Sequence, residues 1–198
     1  MKLILLLLAA VALPTTLFGQ GQIYFANDSS TRFNTNDTRG HIGPMTGLNA
    51  FRIGLYTAPA GTQNQSLFTL LAVATNSANP VAAGLFSYPE SPFTIQGNNG
   101  TPIAVQIRAW SLFAGSSYET ALAGGSYPMG QPVFIGRTDV GTIIPAVGGA
   151  PPPSLFGATG VFTSGIVLIA PLPEPSTYVL AALGALMLFR FRQRRTTK

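Results

Sequence analysis

The chain has 198 residues, 46% hydrophobic and 9% charged, with a formal net charge of +5 and no cysteine, which excludes thiol catalysis, zinc thiolate sites and disulfides. Its excess positive charge lies at the ends, in Lys2, Arg190, Arg192, Arg194, Arg195 and Lys198. Between residues 20 and 170, Arg32, Arg39, Arg52, Arg108 and Arg137 balance Asp28, Asp37, Glu90, Glu119 and Asp139, and this neutral, lysine-free segment lacks the cation cluster that nucleic acid needs.

Lys2, the apolar run from Leu3 to Leu13 and the small residues Gly19 and Gly21 follow the order of a secretory signal peptide. A signal peptide over residues 1–19 is expected, helical in its apolar part and removed by signal peptidase. Cleavage after Gly19 leaves Gln20 first; cleavage after Gly21 is the alternative. The apolar run is shorter than the roughly 20 residues of a membrane span.

Residues 20–170 are enough for one domain, rich in Gly, Pro, Ser, Thr, Asn and Phe and poor in Lys and Glu. Short period-two runs predict strands over 22–26, 50–57, 67–74, 82–86, 92–96, 103–112, 132–137 and 161–170. Turn clusters at Ala58-Pro59-Ala60-Gly61, Gly97-Asn98-Asn99-Gly100 and 148–153 separate them. The predicted class is all-β, a single antiparallel β-sandwich of jelly-roll or immunoglobulin-like type, flanked by the signal-peptide helix and a C-terminal hydrophobic helix.

Two strands show their faces. Phe51, Ile53 and Leu55 share one side, with Arg52 and Tyr56 on the other. In Ile103 to Trp110 the odd positions are apolar, so Gln106, Arg108 and Trp110 face away. A Trp beside Arg and Gln on an open sheet face can stack on a sugar ring, so Trp110, Arg108 and Tyr56 are a candidate glycan-binding surface for an extracellular polysaccharide. The alternative is that the 112–118 loop covers Trp110, with Arg108 or Arg52 stacked on an aromatic ring.

No catalytic residues are assigned. His41 is the sole histidine and lacks a Gly-x-Ser-x-Gly elbow or other nucleophile context, so a solvated loop residue is expected. Glu90 and Glu119 form a glycosidase pair only by supposition, leaving a secreted hydrolase as the rival reading. No metal site or cofactor is assigned: Asp28, Asn34, Asn36 and Asp37 could offer oxygens to Ca²⁺, but their spacing does not match the EF-hand and these residues commonly form turns. No phosphate-cradling loop is present. The Asn-x-Ser/Thr sequons at Asn27, Asn36, Asn64 and Asn99 are expected by chance in this composition.

The tail, residues 171–198, carries Pro173-Glu174-Pro175, an apolar segment over 177–189 and a basic stop of Arg190, Arg192, Arg194 and Arg195 within 190–198. About 13 apolar residues make roughly 20 Å of helix against a bilayer core of about 30 Å, which suits a transient stop better than a permanent transmembrane anchor. A sortase signal would need Thr-Gly where Pro175 and Ser176 stand. Motif, order and terminal position resemble the PEP-CTERM sorting signal of bacterial exported proteins. The run Val105 to Trp110 followed by Gly115-Ser116-Ser117-Tyr118-Glu119 is similar to ectodomains of that group. The resemblance implies processing near the Pro-Glu-Pro site by an exosortase, then residence at the cell surface or in extracellular matrix. Basic flanks stay cytoplasmic, so Lys2 and the tail arginines place the segment between them outside. The expected function is a non-enzymatic, structural or glycan-binding module.

Overall fold

The computed structural model describes residues 20–37, 40–47, 50–123 and 132–170. The signal peptide, the sorting motif Pro173-Glu174-Pro175, the hydrophobic segment and the basic stop lie outside the described residues. Among those described, no helix is long and apolar enough to cross a membrane.

The described chain is mostly β. Its strands are β1 (Gln20–Ile23), β2 (Asn34–Asn36), β3 (Ile42–Pro44), β4 (Phe51–Pro59), β5 (Thr69–Thr75), β6 (Phe93–Gln96), β7 (Ile103–Ser111), β8 (Ile135–Arg137), β9 (Gly141–Ile143) and β10 (Val167–Ile169). One short helix, α1 (Tyr118–Leu122), follows β7. β1 and β6 pair antiparallel; the other eight strands form a sheet in the order β3-β2-β10-β8-β7-β4-β5, with β9 also on β7. All pairings are antiparallel except β10 with β2.

The long strands are where the alternation was clearest. β4 and β7 pair along nine residues, from Phe51↔Ser111 to Pro59↔Ile103. Their shared inner face carries Ile53, Leu55, Val105, Ile107 and Ala109, all sealed from solvent. Against it pack Ile23 of β1, Ile95 of β6 and an aromatic group of Phe25, Phe33, Phe86 and Phe156 with ring centroids 5.2–5.9 Å apart. These edge-on and tilted geometries suit ring quadrupoles.

The predicted strand at 82–86 is absent. Residues Pro80–Ala82 form a 3-10 turn and Phe86 makes one bridge to Asn76. Three strands escaped the sequence reading because each is three residues long, too short to display a period. Close approach explains one glycine: a Cβ on Gly165 would collide with the Arg32 carbonyl oxygen.

The other face of the sheet decides between the two readings of Trp110. The Gln106, Arg108 and Trp110 side is covered rather than open and carries a second core of Tyr56, Phe68, Trp110, Ala114, Tyr118, Ala121 and Val133; Trp110 donates to Gly115 of the 112–118 loop and Arg108 lies over the Tyr56 ring, as the covered alternative expects. α1 and the Gln65–Leu67 turn cover it. The cover does not reach the far strands: Ile42, Val167 and Ile169 are exposed at 64%, 43% and 57%.

Candidate functional site

Tyr56, Arg108 and Trp110 come together as expected, but beneath a cover. Trp110 is 0% exposed, Tyr56 2% and Arg108 4%, so the sugar platform expected at Trp110 is not present. Gly54 makes room for the rings, since a Cβ there would lie 2.7 Å from Tyr56 Cε2 and 3.0 Å from Trp110 Cζ3. The indole N–H donates to Gly115 O at 3.0 Å, and the ring meets Tyr118 edge-on at 6.5 Å. Burial satisfies the one polar atom of the indole, as buried tryptophans require.

Arg108 is the centre of this cluster. Its Nε donates to Gln106 Oε1 at 2.8 Å, Nη2 to Gln65 O at 2.9 Å, and Nη1 to Glu119 Oε1. The guanidinium carbon lies 4.2 Å from the Tyr56 ring centroid and 5.6 Å from that of Tyr118. Tyr56 Oη donates to the other Glu119 oxygen at 3.0 Å. The planar fork thus ties β7, the 65–67 turn and α1 together, with its charge met by a carboxylate and aromatic faces.

The protonation states follow from these contacts. Burial alone would raise the Glu119 carboxyl, but its own backbone N–H, the Tyr56 hydroxyl and Arg108 outweigh that and hold it below the usual range. Burial pushes the Tyr56 phenol up to about 12; the Tyr118 N–H opposes this, while Glu119 adds to it. Glu119 is therefore a structural anion, and Glu90, supposed as its glycosidase partner, sits exposed in a turn.

The supposed Ca²⁺ ligands divide among other tasks. Asp28 caps the Ser29–Thr31 turn, accepting from the Ser30 and Thr31 amides and hydroxyls, and the Ser30 contact leads in holding its carboxyl below the usual range. Asn34 and Asn36 lie in β2. Asp37 engages His41, whose Nδ1 is 2.9 Å from Asp37 Oδ2 and whose backbone N–H reaches Oδ1 at 2.9 Å. Among the described residues no group of three or more His, Asp or Glu is placed to hold a metal.

A groove of about 780 Å³ opens beside that Asp37–His41 pair. Phe51, Leu112, Phe113 and Phe134 line its apolar side, and Thr35, Thr46 and Ser111 offer hydroxyls. His41 is exposed, and Ser111, buried, accepts the Phe134 N–H at 3.0 Å. No local pattern in the chain marks this concavity, because β2, β3 and the residues after β7 meet only in three dimensions.

No protein-family model, curated protein or solved structure matches the chain.

Proposed function

We propose that the chain is an exported protein, sorted through an exosortase-read tail to the cell surface or extracellular matrix, where its β domain acts as a non-enzymatic structural or glycan-binding module. In this reading the two sheets form a sandwich of jelly-roll or immunoglobulin-like type. The observation that carries it is where the sheets lie relative to the two cuts. β10 is held between β2 and β8 and ends at Ile169, so severing the chain near Glu174 removes no strand found among the described residues. At the other end Gln20 and Gly21 of β1 pair with Gln96 and Ile95, and Gly21, buried, faces Pro145 and Asn98. A cut after Gly19 spares those pairs, whereas a cut after Gly21 would remove two of the four.

Glycan binding in this reading belongs to the groove rather than to Trp110. Leu112 and Phe113 are exposed there, and Asp37, His41 and the threonines supply hydrogen-bonding groups for sugar hydroxyls. Intact-mass measurement of the natively produced protein tests the sorting reading: the expected mass begins at Gln20 and ends near Glu174, and a mature chain still carrying Arg195 contradicts it. Retention on extracellular polysaccharide, weakened by Phe113→Ala, tests the binding arm. A hydrolase panel on the same protein tests the rival secreted hydrolase.

A further inference from the structure

The open end of the outer sheet face points to a second role for β10. Ile42 pairs with Asn36, Asn36 with Ile169 and Ile169 with Ile135, so these side chains form one row across β3, β2, β10 and β8. Val167, two residues before Ile169, shares its face beside Asn34 and Pro44. Leu168 between them points the other way and is fully buried. β10 is thus apolar on both faces, with only the inner face in a core. The outer face holds an aliphatic surface of Ile42, Pro44, Val167 and Ile169, bordered at β8 by exposed Arg137. In its middle, Asn36 Oδ1 is shielded from solvent and has no hydrogen-bond partner among the described residues.

We propose that this face rests on the lipid bilayer while the tail is anchored, an inference that depends on the transient-anchor reading above. The argument for lipid as the occupant is where the chain leaves the sheet. Seven residues, Ala170 to Ser176, three of them proline, connect Ile169 to the apolar segment beginning at Thr177. Seven residues reach at most about 25 Å when fully extended, so Ile169 lies within about 25 Å of the segment that enters the membrane. Tethering at that distance gives the patch an effective concentration on the order of millimolar at the interface, so its four apolar side chains suffice where a free protein would not bind. The contact holds the end of β10, where the chain departs toward the Pro-Glu-Pro motif, close to the membrane surface and to a membrane-embedded processing enzyme. Removal of the tail ends the tether and releases the face.

The absence of cysteine makes the test direct. Single cysteines replace Ile42, Ile169, Val81 or Ala181 in the full chain, each carrying an environment-sensitive fluorophore, and the proteins are reconstituted into phosphatidylethanolamine–phosphatidylglycerol vesicles with brominated acyl chains. Val81 is 82% exposed and lies in the Pro80–Ala82 turn, away from the outer row, and serves as the solvent reference. The expected result is strong quenching at 181 and quenching at 42 and 169 at least about three times that at 81. Quenching at 181 with 42 and 169 no different from 81 overturns the docking and leaves the anchor reading standing; that is also the outcome if a second copy of the chain covers the face. Absence of quenching at 181 overturns the anchor and the docking with it.

Discussion

Glu119→Gln offers the sharpest test of the outer-face core. The substitution keeps shape and hydrogen-bonding reach but removes the charge facing a guanidinium that is 5% exposed. Arg108 then keeps Gln106, Gln65 and the Tyr56 ring but loses its only carboxylate among the described residues. A charge-assisted hydrogen bond is worth about 1.5–3 kcal/mol, and because the Glu119 side chain is 55% exposed, solvent screening places the loss near the lower bound, about 1.5 kcal/mol. For a domain of this size that is roughly 3–6 °C in melting temperature. Trp110, the single tryptophan, is fully buried against this cluster and reports unfolding by its emission in urea. Arg108→Met supplies the second arm, and the double variant should lose about 1 kcal/mol less than the two single losses combined. The acid limb gives a further readout. Glu119 is depressed in the folded chain, so its contribution is complete above the ordinary carboxyl value and is lost as pH falls through the lower folded value. Glu119→Gln should flatten stability over that acid interval. A variant melting within a degree of the parent, with no coupling to Arg108→Met, would refute the ionic account and leave Arg108 held by packing alone.

Trp110→Ala should cost about 3–5 kcal/mol in urea unfolding, the loss expected for a buried aromatic; an unchanged melting temperature would mean that the ring is exposed after all. Raising pH should erode stability between the ordinary phenol value of 10.0 and the folded Tyr56 value of about 12, because the protonated form is the one the fold favours, and Tyr56→Phe should remove that part of the alkaline limb. Asn76→Ala should cost about 2 kcal/mol, since Asn76 accepts the Phe51 N–H at 3.0 Å and donates to Gly47 O at 2.8 Å inside the fold; a loss below about 0.5 kcal/mol would show that water replaces it. Gly165→Ala should lower the melting temperature by several degrees, as the new methyl meets the Arg32 carbonyl backbone, and tolerance of it would show that the 163–166 segment shifts freely.

The amino-acid sequence alone determined the all-β class, the neutrality of residues 20–170 and the two faces of β4 and β7, because alternation over 51–56 and 103–110 and the placement of charge are local properties of a chain. It also put Tyr56 on the polar side of β4 and Arg108 and Trp110 on the polar side of β7, but only the pairing of the two strands made those sides one face. Whether that face meets water was not a local matter. α1 and the Gln65–Leu67 turn, distant along the chain from much of what they cover, seal it, and Arg108 enters the core because Glu119, Gln106 and three aromatic rings meet its charge there. The same cover stops short of β10, β2 and β3. Val167 and Ile169 fall in the predicted strand over 161–170, to which the sequence assigns no face; only the packing of one side and the bareness of the other made them a surface.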